Sequence, residues 1–309
     1  MVQRDWRVAV LMGGMSSERP VSLESGEAVL GALKRRGWDA VGIDVGPDLP
    51  AQLVASGAKA VWIALHGAFG EDGCVQGLLE VMRIPYTGSG PKASAVAMDK
   101  VTTKRLLADS EVVMPADVVW RQGEGLPDIP LPVVAKTPRG GSTLGIQMVE
   151  DEAGLERALV ELGELDDCVL LEQRVSGDEI TVAVLDGRAL PVVAIVPDSG
   201  FFDFEAKYTK GCTTYEVPAT RVSAETQAAA QRHAVTAFER LGLAGIARAD
   251  FIVDEAGTPW FLEINTIPGM TATSLSPMAA QGVGVSFEEL VERVLLGARL
   301  RLQRRDEQA

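Results

Sequence analysis

Four polar residues in the C-terminal third of the chain are spaced to share one face of a β-hairpin: Arg248, Asp250, Glu263 and Asn265. The runs Arg248-Ala-Asp-Phe-Ile-Val-Asp254 and Trp260-Phe-Leu-Glu-Ile-Asn265 both read as strands, and only Glu255-Ala-Gly-Thr258 separates them. With those four residues as the loop, Asp254 faces Pro259, Asp250 faces Glu263 and Arg248 faces Asn265. Side chains alternate along a strand and directly opposed residues share a face. Two carboxylates about 5 Å apart repel each other, so positive charge must sit between them. Carboxylate and amide oxygens suit a hard divalent cation such as Mg²⁺, which takes one or two protein carboxylates and completes its shell with water and phosphate oxygens. A solvated outer face would show the same residues, and a one-residue slip would scatter them. The apolar neighbours Phe251, Leu262 and Ile264 argue for a buried sheet.

Other groups suit the same chemistry. The loop Lys136-Thr-Pro-Arg-Gly-Gly-Ser-Thr-Leu-Gly145 offers backbone N–H groups and hydroxyls to a phosphate chain, although a hairpin with a flexible tip would read alike. It matches neither the P-loop nor the dinucleotide fingerprint. His66 ends a strand among glycines, where an imidazole could orient a substrate, shuttle a proton or simply cap a turn. Glu18 opens a helix, complementing its dipole or meeting a substrate ammonium. Lys207-Tyr208 lies in Pro197–Pro218, an aperiodic stretch that reads as a lid. His233, on a helix, reads as solvated. Oxygen ligands, a phosphate-cradling loop, scattered lysines and a cover are the equipment of phosphoryl transfer.

The elements that must position these groups fall into three regions. Trp6–Met12, Val41–Val45 and Ala60–Leu65 read as strands of a parallel sheet, with helices from Val21 to Gly37 and Val75–Met82. Ligands of such sheets lie beyond the carboxyl ends of the strands, where Glu18 and His66 fall. Thr87–Pro91 reads as a linker, and the basic stretch Asp99–Lys104 opens a second region. There Pro132–Lys136, Ile146–Val149, a helix Glu152–Leu162 and a strand Cys168–Glu172 form a small α+β unit. Strands Glu179–Leu185 and Ala189–Val196, a helix Ser223–Leu241, the hairpin and a final amphipathic helix complete the chain.

With 309 residues, 47% apolar and 23% charged, the chain has room for two or three cored domains. A net charge of −14 disfavours nonspecific binding to nucleic acid or an anionic membrane. Cys74, Cys168 and Cys212 are distant from one another and imply neither a disulfide framework nor a zinc site. No signal peptide or membrane span is expected, which points to the cytoplasm.

Eight segments in order carry a resemblance: GGMSSERPVSLESG (13–26), ALHGAFGEDG (64–73), MDK (98–100), VVAKTPRGGSTLGI (133–146), LLEQRVSGDEITVAVL (170–185), FFDFEAKYT (201–209), ARAD (247–250) and FLEINTIPGMTATSLSPMA (261–279). Through them the chain resembles the D-alanine–D-alanine ligase family of the ATP-grasp superfamily. The resemblance implies an α/β and α+β, three-domain ATP-grasp architecture. An N-terminal parallel-sheet domain spans 1–98, a central one 99–178 and a C-terminal one 179–309 with a lid at 197–218. It implies ATP-driven joining of two D-alanines through a D-alanyl phosphate, for peptidoglycan precursor synthesis. It implies Mg²⁺ or Mn²⁺, as two ions, on Asp250, Glu263 and Asn265. Lys100, Lys136 and Lys207 match phosphate contacts, and Glu172 and Glu179 match adenosine contacts. Arg248 and the Gly269 N–H match the stabilisers of a tetrahedral oxyanion. Glu18 matches the anchor of the first D-alanine's ammonium, with His66 beside it, and Ser274 and Leu275 match the holders of the second D-alanine's carboxylate. Ser142 and Tyr208 match partners of Glu18 in a hydrogen-bonded triad. Gln173, Phe202 and Ala249 depart from common family residues without removing a catalytic group. Tyr208 favours an amine over a hydroxyl acid as the second substrate. The family also implies a homodimer through the N-terminal domain.

Overall fold

The computed structural model describes residues 2–140, 145–197 and 213–302. Strand β1 (Arg7–Gly13) is buried from Val8 onward, as a central parallel strand covered on both faces must be. It pairs in parallel with β2 (Asp39–Val45) and β3 (Ala60–Ile63), giving the order β2-β1-β3. The crossovers run through α1 (Arg19–Arg35) and α2 (Leu49–Ser56). The second is invisible to periodicity because only Leu49 and Leu53 of its short length are buried. Helix α3 (Cys74–Val81) follows.

Thr87–Pro91, expected as a linker, is packed instead. Thr87 N–H donates to the Val61 carbonyl at 3.0 Å, and Thr87 Oγ1 accepts from Ile63 N–H at 3.0 Å. Helices α4 (Pro91–Met98) and α5 (Lys100–Leu107) then lead into the central region, with Asp99 capping α5 through Thr102 N–H at 2.7 Å. There β4 (Asp117–Arg121), β5 (Val133–Lys136), β6 (Ile146–Val149) and β7 (Cys168–Gln173) make an antiparallel sheet in the order β4-β7-β5-β6. Helix α6 (Glu152–Gly163) covers it with Leu155, Ala158, Leu159 and Leu162.

The C-terminal sheet contains β8 (Asp178–Leu185), β9 (Arg188–Ala189), β10 (Val193–Pro197), β11 (Thr213–Glu216), β12 (Ile246–Val253) and β13 (Pro259–Asn265). Its order is β11-β10-β8-β12-β13, with β9 beside β8. The expected strand Ala189–Val196 is split around Pro191, which has no N–H to donate. The end of the expected lid segment is strand β11, paired with β10. Helix α7 (Ala224–Arg240) packs on this sheet, and α8 (Leu275–Gln281) and α9 (Phe287–Leu296) close the chain's described part. Among the described residues no helix is long and apolar enough to cross a membrane.

The hairpin register holds where it matters. Arg248 pairs with Asn265, Ala249 with Ile264 and Asp250 with Glu263. Beyond Asp250 the register shifts: Phe251 pairs with Phe261, and Val253, not Asp254, faces Pro259. The loop is thus one residue longer than expected, and a bulge at Leu262 absorbs the difference. That bulge also resets side-chain parity. Phe261 and Ile264 both enter the core with Ala249 and Phe251, while Glu263 and Asn265 stay on the opposite face. The Phe251 and Phe261 rings meet edge to face, 5.7 Å between centroids. Asp254 serves the turn, accepting from Thr258 N–H and Trp260 Nε1, each at 2.8 Å.

Helix α9 returns to the N-terminal sheet. Leu290, Val291, Val294 and Leu295 share one core with Val8, Val10, Val29 and Leu33. At its edge Glu292 accepts from Arg36 Nε at 2.9 Å, Trp38 Nε1 at 2.9 Å and Arg4 Nη1 at 2.6 Å. The hydrogen bond from Arg36, with those from Trp38 and Arg4, pulls its carboxyl down to about 2. Truncating Leu290, fully buried in that shared core, to alanine is expected to cost about 2–5 kcal/mol. Urea unfolding reads this, and a loss below about 1 kcal/mol would show that the core closes without the helix.

Candidate active site

Asp250 is the hub of the hairpin face. Arg248, two residues away on the same side of β12, donates from Nε to Asp250 Oδ1 at 2.8 Å and from Nη2 to Oδ2 at 2.7 Å. Thr181, opposite on β8, donates to Oδ1 at 2.6 Å, and Asn265 Nδ2 donates to Oδ2 at 3.2 Å. Burial alone would lower the Arg248 pKa, but Asp250, Glu263 and Glu71 hold it above the ordinary arginine value. Glu263 lies 3.1 Å from Lys100 Nζ, which also donates to the Gly140 carbonyl at 2.8 Å. So α5 of the central region reaches both the hairpin and the glycine-rich loop. Positive charge reaches both carboxylates through Arg248 and Lys100. Asp250, Glu263 and Asn265 share one face of the hairpin, and carboxylate and amide oxygens are the donor types that Mg²⁺ or Mn²⁺ takes.

A second charged cluster lies at Lys136, where the glycine-rich loop begins. Glu172 is ion-paired with Lys136 through one oxygen and accepts from Lys104 Nζ through the other at 2.6 Å. Its burial would raise the carboxyl pKa, yet the two lysines hold it below the usual range. Both Glu172 oxygens therefore serve as counter-charges to lysine ammoniums. Lys104 ends the basic stretch read from the sequence but drew no role there, although it follows Lys100 by one helical turn and so shares its face. Glu179, two residues before Thr181 on β8, lies on the same side of the sheet as Asp250.

Loops beside the N-terminal sheet carry a third group of polar residues. Glu18 is the N-cap residue of α1. Its N–H donates to Ser16 Oγ at 3.2 Å, and Ser16 Oγ donates to the His66 carbonyl at 2.6 Å. A Cβ at Gly67, where φ is +69°, would lie 2.6 Å from Glu18 Oε2, so glycine there admits the carboxylate. His66 is buried, 3.3 Å from Ser25 Oγ. Burial pushes its pKa down to about 4, opposed by a hydrogen bond to the Ile267 backbone and aided by nearby Arg248. A neutral ring orients its neighbours and is not a charged acid at pH 7. Burial pushes the Glu71 carboxyl up to about 8, with Glu18 acting the same way and the Gly67 and Ile267 N–H groups against it. Ser274 caps α8, whose first residue is Leu275, and its Oγ accepts from Thr271 N–H at 3.1 Å. A Cβ at Gly269 would press within 3.0 Å of that hydroxyl.

Hydrogen bonds and ion pairs bring Arg248, Asp250 and Asn265 together, join Glu263 to Lys100 and pair Lys136 with Glu172. Glu179 lies on the side of the sheet that carries Asp250, Glu18 lies against Gly67 next to His66, and Ser274, next to Leu275, lies against Gly269. Ser142, Lys207 and Tyr208 lie outside the described residues, as does Phe202. Thr181, Lys104, Ser25 and Glu71 were missed. His233 is a correction. It sits on the buried stripe of α7 with Ala230, Ala234 and Ala237, because residues three and four apart share a helix face.

The low His66 pKa has a signed consequence. An unfolded histidine takes up a proton near pH 6.5 that the folded ring refuses until about pH 4. Its contribution to folded stability is therefore full above that range and is lost as pH falls through it. An NMR titration of the two imidazoles should find the His66 ring still neutral at about pH 5.5. Protonation centred near 6.5 would contradict the burial argument.

Comparison with known proteins places this geometry. The family profile described as D-ala D-ala ligase C-terminus matches residues 119–296, and that for the N-terminus matches 50–89. The D-alanine–D-alanine ligase of Syntrophotalea carbinolica is 52% identical over 299 residues, covering 96% of this chain and 97% of that protein. The same-named protein of Citrifermentans bemidjiense is 46% identical over 297 residues, with 96% and 97% covered. The crystal structure of the Bacillus anthracis ligase complexed with ATP superposes with a TM-score of 0.83 at 31% identity, over 94% of this chain and 97% of that one. With the ATP-grasp fold and near-complete coverage on both sides, this chain belongs to the D-alanine–D-alanine ligase family.

Proposed function

We propose that this protein joins two D-alanine molecules at the expense of ATP, yielding D-alanyl-D-alanine, ADP and phosphate for peptidoglycan precursor synthesis. The observation that supports this most is the meeting of Lys100 with Glu263 on the face that also carries Arg248, Asp250 and Asn265. Cationic and oxygen-donor groups from helix α5 and the hairpin meet there, as phosphoryl transfer requires. ATP lies between the central and C-terminal sheets, with Lys100 and Lys136 toward its phosphates and Glu179 toward the nucleoside; Lys207 adds a further phosphate contact. Asp250, Glu263 and Asn265 would hold two Mg²⁺ or Mn²⁺ ions, which would neutralise phosphoryl oxygens.

In this reading the carboxylate of the first D-alanine attacks the terminal phosphorus of ATP, giving D-alanyl phosphate and ADP. Glu18, brought against Gly67, faces the ammonium of that substrate, and His66 orients it as a neutral ring. The amine of the second D-alanine then attacks the acyl carbon, and phosphate departs from the tetrahedral adduct. Arg248 spends Nε and Nη2 on Asp250, leaving Nη1 for the oxyanion alongside the Gly269 N–H. Ser274 and Leu275, at the start of α8, receive the second carboxylate, where backbone N–H groups favour an anion. We further infer a cytoplasmic homodimer formed through the N-terminal domain, whose helices α2 and α3 expose Val54 and Val81.

Phosphate release from ATP should depend on both D-alanine and Mg²⁺, with the dipeptide identified by mass spectrometry. ATP turnover indifferent to D-alanine would defeat the assignment. Glu263→Gln should lower kcat by about 100-fold while leaving the unfolding midpoint near wild type, because it removes a charge at the metal and phosphate face and no packing. An unchanged rate would remove Glu263 from that role.

A further inference from the structure

The loop carrying Gly269 follows β13, yet side chains of the N-terminal domain hold its backbone. Glu71 Oε1 accepts from Ile267 N–H at 3.2 Å, while Oε2 accepts from Gly67 N–H at 3.0 Å. Ser25, on α1, accepts from Met270 N–H at 3.2 Å through the same Oγ that meets His66 Nε2. All of these groups are buried, Ser25 completely. Pro268 has no N–H to donate. Between Ile267 and Met270, Gly269 is therefore the one residue whose backbone N–H is not already engaged among the described residues.

That pattern is more specific than domain adhesion. The two engaged amides flank Gly269, and each is gripped by a buried side chain from a different N-terminal element. A backbone pinned on both sides of a single uncommitted donor has its direction fixed before any ligand arrives, which is the preorganisation an oxyanion site needs. We propose that Ser25 and Glu71 are positioning residues for the ligation: from the N-terminal domain they fix the Ile267 and Met270 amides and so aim the Gly269 N–H at the tetrahedral adduct. This rests on the ligase reading above. It also links the two halves of the site, since Gly67, held by Glu71, is the residue against which Glu18 packs.

Full-length Ser25→Ala, Glu71→Gln and Ser22→Ala test this together. Ser22 lies one turn earlier on α1, is equally buried and donates to the Ala64 carbonyl at 2.7 Å without touching the loop. In Ser25→Ala, hydrogen exchange of the Met270 amide should accelerate by at least about tenfold, with β12 and β13 still protected. Its kcat should fall about tenfold to 100-fold, with the KM for ATP changing by less than about twofold. Glu71→Gln keeps one acceptor oxygen, so it should release the Ile267 or the Gly67 amide and lose kcat in the same direction. Ser22→Ala should leave both loop exchange and kcat at wild-type values. Unchanged exchange and kcat in Ser25→Ala and Glu71→Gln would overturn the proposal, as would Ser22→Ala reproducing their effects. If the wild-type protein makes no dipeptide, the ligase reading fails instead, and the exchange experiment still decides whether the clamp exists.

Discussion

Asp250 and Glu263 stand side by side on neighbouring strands, and like charges at that spacing weaken a sheet unless positive charge is held against them. The protein meets this demand from two directions. Arg248 grips Asp250 along its own strand with two parallel hydrogen bonds, and Lys100 arrives from a helix of another region to reach Glu263. The second contact ties the site to the assembly of the domains. The bulge at Leu262 makes it compatible with folding, because it lets Phe261 enter the core without carrying Glu263 along.

The same logic recurs around the cleft. Glu172 collects Lys104 and Lys136, and burying such a cluster costs desolvation that the ion pairs only partly return. Its return is placement, since a lysine held by a buried carboxylate keeps its ammonium in one position. On the far side, His66 is held neutral by its burial and the carboxyl of Glu71 holds backbone N–H groups.

Much of the site was legible in the sequence because its residues act as pairs on adjacent strands. Alternation alone set Arg248, Asp250, Glu263 and Asn265 on one face. The loop length was misread by one residue since Leu262 looks like any strand leucine, and only the three-dimensional register reveals the bulge. Helices α2 and α8 and strand β4 were missed as short elements with little periodic signal. Ser25 and Glu71 were invisible for another reason. Their partners are backbone amides 245 and 196 residues away, and a backbone amide leaves no mark in residue type. The roles of individual lysines and of Gly269 came from resemblance, not from pattern.

The return of α9 to the first sheet sets an order on biosynthesis. A nascent chain that has released β1 to β3 and α1 still lacks Leu290, Val291 and Leu295, so its opening domain waits on the ribosome with one wall of its core missing. Lys100, the Glu172 cluster and the Asp250–Glu263 pair are all translated in between. The first sheet to emerge is therefore the last to have its core sealed, after synthesis of both intervening sheets is over.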